Sequence, residues 1–392
     1  MTKQRKIQLA LHDTCTGCAA CASVCPTGSI SMKEDREGFL QPHIDTKTCI
    51  GCHKCEKTCP IITPIKIPTD FETQAYAAIN KDEAVRMRSS SGGMFHALAK
   101  WTIEQGGVVF GARFNDQWEV VHDYTESTEG IEPFMRSKYV QSRIGDTFKQ
   151  AKQFLDAGRQ VLFVGTPCQI GGLKAYLKKD YDNLFAVDLI CHGVSSPGVW
   201  KKHLENLQCK LNCKKIKDIS FRQNINYNLT IEYLNNYNKW EVYKKDTRDD
   251  AYYSYYTRAI FRTSCYKCPF RTIYNQYADL TIGDCWNVKD DHQHMMDNKG
   301  VSAVIIHTIK AEKTFNNIQD HFIIDKEKMG IIDSRYNYAI ARALNYKRNR
   351  PFHVSNFLAQ YIPLAYMRII YMHDKWSIII KRKTIKILKH YV

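Results

Sequence analysis

The chain has 392 residues, 44% hydrophobic and 24% charged, an ordinary globular composition with length enough for two or three cored domains. A formal charge of +16 invites a nucleic-acid reading, but six positive charges (Lys375, Lys381, Arg382, Lys383, Lys386 and Lys389) crowd the last 18 residues without an acid, and anionic cofactors would offset part of the rest, so no nucleic-acid partner is expected. MTKQRKIQLALHD lacks an apolar signal core, so a reducing, cytoplasmic setting is expected, where the 15 cysteines read as metal ligands or redox groups rather than disulfides.

Residues 10–60 are an internal repeat, CTGCAACASVCPTGSI and CIGCHKCEKTCPIITP, each spaced C-x2-C-x2-C-x3-C-P. Four thiolates hold one four-iron cluster, and in the doubled arrangement the fourth cysteine of each run crosses to the other cluster. Cys15, Cys18, Cys21 and Cys59 are therefore assigned to one 4Fe-4S cluster, and Cys49, Cys52, Cys55 and Cys25 to a second. Small residues between them let backbone amides reach the sulfurs, and Pro26 and Pro60 redirect the chain after each crossing cysteine. Two zinc sites are the alternative, but zinc motifs rarely repeat this spacing with both prolines. The segment 8–62 resembles the dicluster ferredoxin domain. Such a pair of clusters is a wire, so the function depends on what it feeds. The domain is taken as 1–66 and a proline-bearing linker as 67–74.

From 75 to 210 strands and helices alternate: AYAAIN, a helix within SSSGGMFHALAKWTIEQG, VVFGARF, a helix in IGDTFKQAKQFLDAG, VLFVG, a helix in PCQIGGLKAYLKK, LFAVDLI, and a helix in SPGVWKKHLENL. Alternation predicts an α/β layer with at least partly parallel pairing. Residues 216–245 read as β-rich, 252–290 as an aromatic helix, a CxxC and the strand ADLTIGD, and 301–330 as strand–helix–strand. The fold class is thus α+β or α/β: a ferredoxin-like domain, a mixed α/β domain over 75–334, and a basic helical tail over 335–392.

Cys168 and Cys191 each follow an apolar strand and precede a helix. Parallel strands would place both on one sheet edge, where open α/β sheets build their sites. Cys265 and Cys268 form a C-Y-K-C-P pair. Together the four suffice for a third 4Fe-4S cluster, although each taken singly also reads as a small buried residue, a zinc ligand or a dithiol. Cys209, Cys213 and Cys285 are read as structural. RSSSGGMFHALAKW offers hydroxyls and amides before a helix, suited to a phosphate. SKYVQS offers Lys138 as an anion contact, or merely a solvated lysine, and TIGDCW puts Asp284 after a strand.

SSSGGMFHAL, SKYVQSRIGDTF, FVGTPCQIGGL, DLICHGVSSPGVW, SFRQN, RTSCYKCPF and ADLTIGDCW stand in the order found in the coenzyme F-420 hydrogenase/dehydrogenase family of beta subunits, which residues 75–330 resemble. The resemblance implies one FAD and a four-iron cluster in an α/β domain. It puts the cluster on Cys168, Cys191, Cys265 and Cys268, and the FAD phosphate near Ser90, Ser91, Gly92 and Gly93 with Lys138 and Tyr139. The function expected is an iron–sulfur flavoprotein oxidoreductase, passing electrons between a two-electron donor or acceptor at FAD and the clusters, and on to a redox partner protein. The alternative is a relay module without a small-molecule substrate. NFLAQYIPLAYMRIIYMH, broken by Pro363 and Arg368, falls short of a bilayer span. WSIIIKRKTIKILKHYV reads either as a helix lying on an anionic membrane surface, giving peripheral contact at the inner membrane face, or as a basic helix packed on the core.

Overall fold

A computed structural model describes residues 7–67, 71–222, 226–246, 260–271, 277–285, 293–295 and 297–327. The tail expected over 335–392 and the aromatic helix expected near 252 lie outside the described residues.

The N-terminal region consists of two short helices, α1 (Ala20–Ser23) and α2 (Lys54–Thr58), and a hairpin of β1 (Ile30–Glu34) with β2 (Leu40–Ile44). The repeat is structural as well as sequential. Gly17 and Gly51, two residues after the first cysteine of each run, are left-handed at φ 70° and 67°. Ala19 and His53, directly after the second cysteine, are left-handed at 61° and 56°. This conformation turns the chain back on itself and suits glycine best, and it leads directly into α1 and α2.

The second region opens with β3 (Gln74–Asn80), α3 (Glu83–Met87), α4 (Met94–Glu104), β4 (Val108–Phe114) and β5 (Val120–Thr125). It continues with α5 (Thr147–Asp156), β6 (Val161–Gly165), α6 (Pro167–Leu177), β7 (Leu184–Leu189) and α7 (Pro197–Lys210). A three-stranded antiparallel sheet follows, of β8 (Cys213–Ser220), β9 (Asn228–Asn235) and β10 (Trp240–Asp246), with β9 in the middle. The chain then returns through β11 (Leu280–Asp284), β12 (Ser302–Ile306), α8 (Ile309–Ile318) and β13 (Phe322–Glu327).

The main sheet has eight strands in the order β13-β3-β12-β11-β7-β6-β4-β5. Its centre, β11, β7, β6 and β4, is parallel, and the flanking pairs are antiparallel. Composition explains the difference between the sheets. All five residues of β6 are buried, as a strand covered on both faces requires. Strand β9 alternates buried and half-buried residues, the mark of a sheet covered on one face. One face of the main sheet packs α4 and α8 through Met94, Leu98, Phe315 and Ile318 on Leu162, Val187 and Val304. The other packs α5 and α6 through Phe148, Ala151, Ile170 and Leu173 on Phe110, Phe163 and Ala186. Fully burying such a side chain stabilises by about 1.5–3 kcal/mol.

That second face also takes in Cys18, Ala19 and Ala20 of the ferredoxin repeat. The two regions thus share a core. Gly172 on α6 makes the approach possible, since a Cβ there would meet Cys18 Cβ at 2.8 Å and Sγ at 2.9 Å. Gly38 and Gly198 face each other likewise at the start of α7, where a Cβ on Gly38 would reach the Gly198 nitrogen at 2.5 Å.

Several elements escape the sequence reading: the short helices α1 and α2 and the β1–β2 hairpin of the cysteine repeat, the short α3, and β5. Strand β5 carries His122 and Asp123 among its apolar residues and is the last strand of the sheet, paired with β4 and bridged at Val121 to Arg143, so it lacks the continuous apolar run of its neighbours.

Candidate metal and cofactor site

The first ferredoxin group comes together across the repeat. Cys21 lies within electrostatic reach of Cys18, Cys15 and Cys59, and Cys59 within reach of Cys15. These four sulfurs line one apolar cavity with Met32, Pro42 and Ile61. Burial pushes the Cys18 thiol up to about 12 and raises Cys21 as well. The second group is more open, with Cys52 exposed and Cys25 and Cys49 half-buried. Within it, Cys55 interacts with Cys52. Burial alone would raise Cys25, but the Thr27 hydroxyl and the amides of Thr27, Ser29 and Ile30 donate to its sulfur and hold the thiol below its ordinary value.

The α/β region gathers its own four. Cys168 enters on the first turn of α6, with Pro167 at the first helical position and the Thr166 N–H donating to Gln169 Oε1 at 2.9 Å. Cys191 lies in the turn between β7 and α7. Ser196 caps α7, its hydroxyl accepting the Val199 N–H at 3.0 Å. Since β6 and β7 are parallel, both cysteines lie beyond the same sheet edge. Cys265 sits in a 3-10 turn, Thr263–Lys267, and Cys268 directly follows it. Cys268 is within electrostatic reach of Cys168, Cys265 and Cys191. Cys191 likewise feels Cys265 and Cys168.

This set fits a four-iron cluster by three observations. Each sulfur has a nearby donor: the Thr166 hydroxyl at 3.2 Å for Cys168, and the amides of Gly193, Val194 and Phe270 for Cys191, Cys265 and Cys268. Burial pushes Cys168 up to about 11 and Cys191 to about 12, and raises the other two. Such thiols ionise only when a metal supplies positive charge. Finally, two guanidiniums stand beside them. Arg271 donates to the carbonyls of His192 at 3.0 Å and Cys265 at 2.5 Å, and its buried Nη1 has no hydrogen-bond partner among the described residues. Among the described residues no His, Cys, Asp or Glu trio is drawn close enough for a single metal ion.

Cys18 also lies within reach of Cys168. The first ferredoxin group and the α/β group are therefore neighbours, in contact through α1 and α6. Cys209 is exposed, Cys213 half-buried and Cys285 buried, and none of the three belongs to either constellation.

A cavity of about 440 Å³ opens at the same sheet edge, within the range of roughly 300–1,000 Å³ of small-molecule sites. Ser90, Ser91, Gly93, Lys138 and Tyr139 line it, and so does Cys191. Gly92, expected with the phosphate contacts, does not: a Cβ there would fall 2.2 Å from the Ala78 carbonyl and 2.6 Å from the Ser302 nitrogen, so Gly92 serves to bring the loop against β3 and β12. Ser90 Oγ accepts the Ser137 N–H at 2.9 Å, which ties the serine loop to the Lys138 loop. Ser91 Oγ donates to the Val301 carbonyl at 2.8 Å.

Lys138 is half-buried rather than solvated. Its ammonium donates to the carbonyls of Pro133 and Met135 at 2.8 and 2.6 Å. Desolvation, with Arg136 nearby, lowers its pKa well below the ordinary lysine value. Arg136 is itself paired with Asp218, at 2.7 and 2.8 Å, so Lys138 is the cation of this loop without a carboxylate bonded to it among the described residues. Asp284 forms a two-point ion pair with Arg222 at 2.5 and 3.0 Å. Arg222 in turn lies over the Tyr227 ring at 4.8 Å, and Tyr227 stacks on Tyr139. His122, another wall residue, points Nε2 at the Val164 carbonyl at 3.0 Å, and burial lowers its pKa to about 4, so the ring is neutral at pH 7.

Sequence reasoning passed over Arg262, Arg271, Arg222 and His122. One signal was present: in FRTSCYKCPFR an arginine flanks the cysteine pair on each side.

Comparison with known proteins places these parts. Residues 158–330 match the family of the coenzyme F420 hydrogenase/dehydrogenase, described as the C terminus of its beta subunit, and residues 14–61 match the 4Fe-4S dicluster domain. The chain carries a beta-subunit domain of that family behind a dicluster ferredoxin domain. Among curated proteins it is similar to the F subunit of the F(420)H(2) dehydrogenase of Methanosarcina mazei, 23% identical over 339 residues, covering 82% of this chain and 87% of the relative. Among solved structures, a chain of the F420-reducing NiFe hydrogenase complex from Methanosarcina barkeri aligns over 72% of this chain and 92% of its own length, with a TM-score of 0.45 and 15% identity. The beta-subunit domain match contains all four cysteines of the α/β group, and the dicluster match contains all eight of the repeat. The chain thus joins an iron–sulfur dicluster domain to a domain of an oxidoreductase family. Among the described residues, no helix is long and apolar enough to cross a membrane.

Proposed function

We propose that the protein is an iron–sulfur flavoprotein oxidoreductase with three 4Fe-4S clusters and one FAD. The reading is carried by one observation: the wall of the 440 Å³ cavity includes Cys191, a member of the four-cysteine group. A ligand in that cavity would lie directly against a cluster held by Cys168, Cys191, Cys265 and Cys268. When bound, the flavin supplies two-electron exchange with a small donor or acceptor, and the clusters supply single-electron steps.

The chain's own residues then have distinct tasks. Lys138 and the N-terminus of α4, behind Ser90, Ser91 and Gly93, would meet the pyrophosphate. Tyr139 and Tyr227 wall the cavity with aromatic surface, and the neutral His122 adds no charge to it. The contact of Cys18 with α6 passes the wire into the ferredoxin region. The more exposed group of Cys25, Cys49, Cys52 and Cys55 is the one open to a redox partner protein.

Protein purified without oxygen is expected to hold about 12 irons, four per cluster, together with FAD. The curated relative's name makes reduced coenzyme F420 the first donor to test, with NADH and NADPH beside it. Bleaching of the flavin by one of these donors, without a partner protein, supports the enzyme reading. Full iron without flavin overturns it in favour of a relay.

A further inference from the structure

Arg262 belongs to the segment that carries Cys265 and Cys268, but its side chain reaches into the ferredoxin region. It is 2% exposed. Nε donates to the Cys15 carbonyl at 2.7 Å, Nη1 to Gln141 Oε1 at 3.0 Å, and Nη2 to the Leu40 carbonyl at 3.0 Å. The guanidinium lies over the Phe39 ring at 5.4 Å. It also fills the space beside the Gly17 turn, where a Cβ would come within 2.7 Å of Nη1. Toward the other side, its charge favours the thiolates of Cys168 and Cys265.

All three acceptors are neutral, and no carboxylate among the described residues pairs with this cation. Burying an unpaired guanidinium is strongly unfavourable unless a counter-charge lies close. Four-iron clusters on four thiolates are anions, and each gains one more negative charge on reduction. A fixed cation between two of them therefore stabilises the reduced state of both, and more strongly in a low-dielectric interior than in water. Arg271 makes a useful contrast. Its charge favours Cys191 and Cys265, and its side chain is bonded to carbonyls of the α/β region.

We propose that Arg262 is a positioning residue whose charge couples the ferredoxin cluster on Cys15, Cys18, Cys21 and Cys59 to the cluster on Cys168, Cys191, Cys265 and Cys268, raising the reduction potential of both. The inference rests on the three-cluster reading.

Its test is an anaerobic redox titration of the full-length protein, followed by electron paramagnetic resonance, with iron counted in parallel. Arg262→Gln at full iron shifts two of the three clusters about tenfold toward the oxidised form, about 59 mV each for one electron. Arg271→Gln shifts one. Arg262→Lys restores the charge without the planar fork, and both potentials return to within about threefold of wild type. Unshifted potentials in Arg262→Gln overturn the proposal, as does Arg262→Lys shifted as far as Arg262→Gln. Should Arg262→Gln lose iron, Arg262→Lys decides: full iron with wild-type potentials supports the role of charge, and a tenfold fall or loss of iron overturns it. Wild-type protein with about 8 irons and no third signal, by contrast, would overturn the three-cluster reading itself.

Discussion

In the ferredoxin repeat, three ligands of each cluster come from seven consecutive residues, and the loop is made by backbone turns at Gly17, Ala19, Gly51 and His53. In the α/β region, Cys168, Cys191 and the Cys265–Cys268 pair come from three separate strand-to-helix or loop segments, brought together by the parallel pairing of β6 and β7 and by the return of the chain after β10. The first kind of site depends on short-range backbone geometry, and the second on a folded sheet. The two also differ in charge environment. Both Arg262 and Arg271 stand by the α/β group, whereas Cys25 in the outer ferredoxin group relies on neutral amide and hydroxyl donors.

The sharpest way to break this comparison is to remove a ligand from the sheet-built site. Cys268→Ser should lower iron from about 12 to about 8 per chain. The two ferredoxin signals should remain and electron flow from the cavity to the ferredoxin should cease, as iron analysis and stopped-flow spectroscopy would show. Loss of all iron would mean that the two systems fold as one. A smaller effect comes from wedging them apart. Gly172→Val should push α6 from Cys18 and destabilise the chain by about 1–3 kcal/mol, slowing transfer between the groups while leaving iron content unchanged.

The cavity can be separated from both cysteine systems. Lys138→Met should weaken flavin binding about tenfold, as expected for one charged hydrogen bond, and leave iron intact; the flavin-to-iron ratio after gel filtration reads this directly. The smallest effect concerns Asp188, three residues before Cys191. It is wholly buried in β7, where it accepts the Thr281 hydroxyl at 2.5 Å, and burial pushes its pKa up to about 8. Between the ordinary carboxyl value and about 8 the folded chain keeps a proton that the unfolded chain releases. Stability therefore falls as pH rises through that window and levels off above it. Asp188→Asn should flatten the decline in melting temperature from pH 5 to pH 8, and an unchanged slope would assign it to other groups.

Most of the ferredoxin site was legible in the sequence, because its ligand spacing is set by a few consecutive residues and a doubled motif. The strands around Cys168 and Cys191 were legible too, since buried parallel strands are continuous apolar runs, and Ser196 and Pro197 mark the start of α7. The β5 edge strand was not, because an edge strand keeps polar residues and loses the run. The packing role of Gly92 was not legible, since glycine serves a tight backbone approach as readily as a ligand loop, and only the nearness of Ala78 and Ser302 shows the approach.

By itself, the sequence determined the twelve cysteines worth naming, the α/β alternation and the serine–glycine loop before α4, all of which depend on residues close together in the chain. Only the tertiary structure decided that Cys18 lies beside Cys168, that Cys191 lines the cavity, and that Arg262 stands between two cysteine groups with no carboxylate paired to it among the described residues. Those facts depend on which faces of α1, α6 and the sheet bury one another. Burial also converts an ordinary arginine into a charge that must find its counterpart nearby.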